Sequence, residues 1–172
     1  VLEDSERVID ASLAISIDLS SNDGCFWSSY TCPITSKKIA VLIKTTNPDQ
    51  QAFVRVYKWI PEETGPDQWK QIGSDIKFQS LYPSSHDIGT VKLSSDGKTV
   101  AVPVNTTVSS YGPGHVQVYN WDNNDWVRRG GNIDLKAGDS ALRSFVLSDD
   151  GKTVAFGLPE VGHGLARVYD FK

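Results

Sequence analysis

Two stretches of this sequence are nearly the same: Leu93-Ser-Ser-Asp-Gly-Lys-Thr-Val-Ala-Val102 and Leu147-Ser-Asp-Asp-Gly-Lys-Thr-Val-Ala-Phe156. Each sets an apolar end before an Asp-Gly corner and a run of small and β-branched apolar residues after it. Asp-Gly between apolar runs is the strongest short-range signal for a β-hairpin. Because the signal recurs, the chain reads as a set of repeated hairpin units.

A second line repeats three times: Val54-Arg-Val-Tyr57-Lys-Trp59, Val116-Gln-Val-Tyr119-Asn-Trp121 and Ala166-Arg-Val-Tyr169-Asp-Phe171. The spacing, about 50–60 residues, is that of propeller blades or similar arrays. Each unit reads as four strands. The first is Ile15–Leu19, Thr90–Leu93 or Ser144–Leu147, and the second is Ile39–Lys44, Thr99–Val104 or Thr153–Leu158. The third is the Tyr line. The fourth follows a polar loop, where Trp69-Lys-Gln-Ile-Gly73-Ser-Asp-Ile76 aligns with Trp126-Val-Arg-Arg-Gly130-Gly-Asn-Ile133, and the third unit reaches Lys172 without one.

Alternate residues of a strand face opposite sides. Val116 and Val118 therefore point one way, Tyr119 and Trp121 the other, and both sets are apolar; Val100-Ala-Val-Pro-Val104 is also apolar on both faces. Sheets covered on both sides suit stacked blades, whereas a barrel strand wets one face. The expectation is an all-β chain of three four-stranded antiparallel propeller-blade-like repeats. They form a single repeat domain over 1–172, with units at approximately 12–76, 85–136 and 137–172. A β-trefoil-like three-fold barrel has the same strand arithmetic and is the alternative.

The Asp-Gly line, a Gly-rich loop, Val-x-Val-Tyr-x-Trp and then Trp-x-x-x-Gly-x-x-Ile together resemble integrin-α-like (FG-GAP-like) β-propeller repeats, over most of residues 12–171. The resemblance implies a secreted or surface module for binding, adhesion or structure, without catalysis. The chain departs from that pattern in its acidic loops. No Asp-x-Asp-x-Asp-Gly is present, and Asp122-Asn-Asn-Asp125 lacks the Gly and distal carboxylate of a calcium loop. It reads as a solvated hairpin loop between Trp121 and Trp126.

Three units fall short of the four to eight blades of a closed propeller. The chain is expected to be a segment of a longer protein, or to associate with copies of itself or other protein partners. A third option is that Glu6-Arg-Val-Ile9 supplies the strand missing after Phe171. Uncovered apolar sheet faces and edges are surfaces that proteins normally cover.

The first unit breaks the pattern. After Asp23-Gly24 it carries an insertion, Cys25-Phe-Trp-Ser-Ser-Tyr-Thr-Cys32, at what reads as a hairpin tip. It contains the only 2 cysteines of the chain. A Cys25–Cys32 disulfide closing this loop in an oxidising compartment is the expected state, with reduced thiols or half a metal site as rivals. Phe26, Trp27 and Tyr30 make it a candidate loop for a protein partner or a glycan, against a loop folded onto its own unit. Asn105-Thr-Thr107 is a glycosylation sequon in the loop after a second strand. With the cysteine pair it points to an extracellular or cell-surface protein.

Catalysis is not expected. There is no nucleophile elbow, His-Glu-x-x-His pair or Gly-rich phosphate loop, and His86, His115 and His163 do not align across the repeats. No cofactor or metal is expected. With 17 Lys+Arg against 21 Asp+Glu and no basic block, the chain lacks a nucleic-acid footprint. Its apolar stretches are far shorter than the roughly 20 residues of a membrane-spanning helix, and the acidic Val1–Glu6 does not read as a signal peptide. The expected function is a non-catalytic structural or adhesive module binding protein partners through sheet faces and loops. A lectin-like module using the Cys25–Cys32 loop is the alternative.

Overall fold

Runs of Val, Ile, Tyr, Trp and Thr that are apolar at both alternating positions favour strands buried on both faces. The computed structural model describes residues 26–31, 37–44, 51–61, 68–79, 90–105, 114–135, 145–158 and 165–171, and these runs form three antiparallel sheets. The first holds β1 (Phe26–Thr31), β2 (Lys38–Lys44), β3 (Gln51–Ile60), β4 (Gln68–Gln71) and β5 (Ile76–Gln79). The second holds β6 (Lys92–Leu93), β7 (Thr99–Asn105), β8 (Gly114–Asp122), β9 (Asp125–Arg128) and β10 (Ile133–Asp134). The third holds β11 (Phe145–Leu147), β12 (Thr153–Leu158) and β13 (Leu165–Asp170). The chain is all-β among the described residues, where no sheet closes into a barrel and the sheets form no closed ring.

The fourth strand of a unit is two short strands rather than one. β4 pairs with Tyr57–Ile60 and β5 with Gln51–Val54, both along the same edge of β3. β9 and β10 divide the edge of β8 in the same way. The break falls at Gly73 and Gly130, both at φ 70, a left-handed conformation that interrupts a ladder and that glycine adopts without steric cost. The third sheet has three strands among the described residues.

The first unit also differs from expectation. Phe26–Thr31, read as part of a loop, is a strand: β1 pairs antiparallel with β2, with a register shift between Trp27 and Ser29. Aromatic and β-branched residues suit a strand, and β1 occupies the edge of β2 where Ile15–Leu19 was expected. Ile15–Leu19 itself lies outside the described residues, as does Glu6-Arg-Val-Ile9.

The two Asp-Gly corners carry the same hydrogen-bond network. Ser94 Oγ donates to Asp96 Oδ1 at 2.7 Å, and the backbone N–H of Lys98 donates to the same oxygen at 2.9 Å. The N–H of Gly97 donates to the Ser94 carbonyl, and that of Thr99 to Ser94 Oγ. Ser148, Asp150, Gly151, Lys152 and Thr153 repeat every one of these bonds. Each corner thus ties its own Ser and Asp to each other and to the turn backbone, as Asp and Ser in turns commonly do. The hairpin tip between Trp121 and Trp126 is a two-residue turn, with Asn123 and Asn124 at φ 47 and 64.

Each sheet has two apolar faces, and the sheets stack like upon unlike. We call the face bearing Ile39, Val41 and Ile43, or Val100, Val102 and Val104, or Val154 and Phe156, the leading face. The opposite face, bearing Ala40, Ala101 or Ala155 at the equivalent strand position, is the trailing face. Ala40, Leu42, Val54, Val56, Ile76 and Phe78 on the trailing face of the first sheet form one core with Val91, Val100, Val102, Val104 and Tyr119 on the leading face of the second. Ala101, Val116, Val118, Ile133 and Leu135 on the trailing face of the second form another with Phe145, Val154 and Phe156 of the third. Each fully buried Val contributes roughly 1.5–3 kcal/mol.

Candidate functional site

The residues singled out in the sequence do not converge. Phe26, Trp27 and Tyr30 lie on the edge strand β1, while Cys25 and Cys32 fall outside the described residues. Asn105 is the last residue of β7, paired with Gly114, so the sequon begins on a strand rather than within a loop; Thr106 and Thr107 are outside the described residues. His86 and His163 are likewise outside. His115 is half-buried on β8, its Nε2 2.9 Å from Gln117 Nε2, and the Tyr119 hydroxyl donates to Gln117 Oε1 at 2.7 Å. Burial lowers the His115 pKa and raises that of Tyr119. Among the described residues no three His, Cys, Asp or Glu side chains are grouped as a metal site.

What the structure does assemble is a junction between sheets. Trp121 and Trp126 meet edge to face with centroids 5.1 Å apart, on the leading side of the second sheet. Onto this pair the first sheet lays Ile72, Gly73 and Ser74. The Trp126 indole N–H donates to the Ile72 carbonyl at 3.1 Å. The Ser74 backbone N–H donates to Asp125 Oδ1 at 2.7 Å, and its hydroxyl to Asp125 Oδ2 at 3.2 Å. The Ser74 backbone N–H, with that of Trp126, holds the Asp125 carboxyl below its usual pKa. A β-carbon on Gly73 would lie 2.8 Å from Trp121 and 2.9 Å from Trp126, so the slot admits only glycine. Lys38 Nζ adds a bond to the Gly97 carbonyl at 2.8 Å, and burial lowers its pKa.

The second junction has the same frame and lacks one part. Arg129, in the place of Ile72, spreads its guanidinium 4.8 Å above the ring of Phe171, which stands where Trp121 does. It donates to the carbonyls of Gly151 and Phe171. The Ser95 backbone N–H and hydroxyl both donate to the Asp149 carbonyl at 3.0 Å. Gly130 and Gly131, which stand where Gly73 and Ser74 do, have nothing within 4 Å of a β-carbon built on either. An open cleft of about 350 Å³ lies alongside, lined by Asn120, Trp121, Asp122, Val127, Arg128 and Arg129. Val127, on the trailing side of β9, is 49% exposed.

The trailing face of the third sheet is uncovered as well. Val146 and Val168 flank Ala155 in one cross-strand row and are 60% and 63% exposed. The equivalent row of the second sheet holds Ala101 and Val118, both buried.

Sequence reasoning aligned Gly73 with Gly130 and Trp69 with Trp126 but took the glycines as part of a continuous strand. The signal it lacked was partner identity: what fills the Gly73 slot is the Asp-Trp pair of the next unit, 51 to 54 residues away. Comparison with family models, curated proteins and solved structures found no match.

Proposed function

We propose that the chain is a non-catalytic structural or adhesive module of β-propeller-type repeats, binding protein partners, or copies of itself, through its sheet faces. The observation that carries this reading is the uncovered trailing face of the third sheet, with Val146 and Val168 at 60% and 63% exposure. The first two sheets bury the same kind of face against a neighbour, so this face is built to the same pattern and lacks its cover. A contiguous exposed apolar row is a mark of an interaction surface. The paired cysteines and the sequon at Asn105 support an extracellular or surface setting, and the repeat pattern supports the likeness to integrin-α-like repeats.

Light scattering on the purified chain tests the reading. A mass above that of the monomer is expected, reverting to monomer in a Val146→Lys/Val168→Lys variant that keeps its β-sheet circular dichroism. A wild-type chain that stays monomeric at every concentration overturns association with itself. A failure to retain any protein from an extracellular extract on the immobilised chain then overturns the module reading altogether.

A further inference from the structure

The two junctions share a frame, and the first is complete. In it, the turn at Ile72-Gly73-Ser74 receives an Asp-Trp pair at the start of the half-strand β9: a carboxylate onto the Ser74 N–H and an indole N–H onto the Ile72 carbonyl. The second junction presents the same turn, Arg129-Gly130-Gly131, with its glycine again at φ 70, and open space over it. What occupies the first slot comes from the edge of β8, where Trp121 pairs with Trp126 and Tyr119 with Arg128. The corresponding stretch of the third sheet is Tyr169–Phe171, which β12 lines on one edge and no described strand lines on the other.

We infer that the third sheet accepts an added strand along Tyr169–Phe171, supplied by a polypeptide carrying an Asp-Trp pair. The added strand runs antiparallel to β13, placing its Trp opposite Phe171 as Trp126 lies opposite Trp121. Its indole N–H then meets the Arg129 carbonyl and its Asp carboxylate the Gly131 N–H. The ring fills the space above Gly130 and covers Val127, whose exposure in the cleft is otherwise unaccounted for. Seven residues further on, as Ile133 follows Trp126, the strand lays an apolar residue opposite Ala166, where Ile133 lies opposite Val116 in the second sheet. Main-chain ladder bonds supply affinity in this mode of recognition, and side-chain pockets supply specificity. The turn gives the pocket its selectivity: Gly130 keeps it left-handed, and the Gly131 N–H stands where the Ser74 N–H receives a carboxylate.

The occupant is thus an extended peptide segment of the Asp-Trp-x3-Gly-x2-Ile-x-Leu type, which residues 125–135 of this chain exemplify. This deepens the reading of the protein as a repeat module and rests on it, but the two fail separately. Monomeric behaviour in light scattering does not bear on peptide binding, and absence of peptide binding does not bear on association through Val146 and Val168.

The test uses the full chain and a synthetic, fluorescently labelled copy of residues 124–136. Saturable binding by anisotropy is expected, with amide-exchange protection gained at Tyr169–Phe171. A peptide with Ala in place of Trp126 should bind at least about tenfold more weakly, as loss of a buried aromatic anchor does. A Gly131→Glu chain, whose new side chain projects into open space and sets a second carboxylate where the peptide's Asp docks, and whose fold is intact by circular dichroism, should lose binding to a similar extent. Absence of saturable binding, equal affinity for both peptides, or undiminished binding to Gly131→Glu each overturns the proposal. So does protection that appears only on the Val146–Val168 face, which would mark a second copy of the chain as the occupant.

Discussion

The Trp126 indole N–H and the Ile72 carbonyl, 54 residues apart in the chain and in different sheets, are joined by a hydrogen bond of 3.1 Å. It is a side chain reaching a main-chain acceptor that the interrupted β4–β5 ladder leaves open. Trp126→Phe keeps most of the ring and removes the donor, stranding that carbonyl. A loss of about 1–2 kcal/mol is expected in urea unfolding, against about 3–5 kcal/mol for Trp126→Ala.

Gly73 and Gly130 share one backbone conformation and differ in surroundings. Gly130→Ala should carry only the left-handed penalty of a β-carbon, about 1–2 kcal/mol. Gly73→Ala adds contacts at 2.8 and 2.9 Å with the Trp121 and Trp126 rings, so its loss should exceed that of Gly130→Ala by about 1–3 kcal/mol of overpacking. Equal losses in parallel melts would contradict the slot geometry.

Burial separates valines that the sequence presents as alike. Val102 is fully buried between the first two sheets and Val168 is largely exposed. Val102→Ala is expected to cost about 2–3 kcal/mol, and Val168→Thr to stay within about 0.5 kcal/mol, in the monomeric chain.

Acid should act through the corner at Asp150. The Ser148 hydroxyl, with the Lys152 backbone N–H, holds the Asp150 carboxyl below its ordinary value of 3.8. A carboxylate with a depressed folded pKa adds stability above the unfolded value, and that stability is lost as pH falls through the folded value. Asp150→Asn should therefore flatten the stability curve below about pH 4 and lower the plateau above it. Melting temperatures across that range provide the check.

His115 works in a separate window. Burial lowers its pKa, outweighing the opposing pull of Asp134, and Arg128 lowers it further. The unfolded chain then binds a proton that the folded chain resists, so stability falls as pH drops below the unfolded value of about 6.5. His115→Gln should remove that slope between pH 6.5 and the lower folded value, leaving stability above it nearly unchanged.

The strands were legible wherever one residue in two carried the signal. Val100-Ala-Val-Pro-Val104 announced two apolar faces, and Asp96-Gly97 and Asp150-Gly151 announced the corners; each is a local property of a few consecutive side chains. The broken fourth strand was not legible, because a single glycine inside a strand-like run does not announce a left-handed turn, and Gly73 and Gly130 take that turn whether or not a ring lies above them. Nor was β1: Phe26–Thr31 between two cysteines suits a constrained loop as well as a strand, and pairing with β2 decides between them. The open slot at Gly130 was hidden for a further reason. It exists only by comparison with its filled counterpart at Gly73.

The stacking of unlike faces also governs how such a molecule comes apart. Every buried apolar side chain described in the third sheet, Phe145, Val154 and Phe156, belongs to the core shared with the second. The first sheet has in addition a cluster of its own, Ile39, Val41, Ile43 and Tyr57. Loosening the third sheet removes one core and leaves the other intact, whereas disturbing the second sheet strips both. Thermal motion should therefore loosen the third sheet before the second, in a graded sequence of openings rather than a single event.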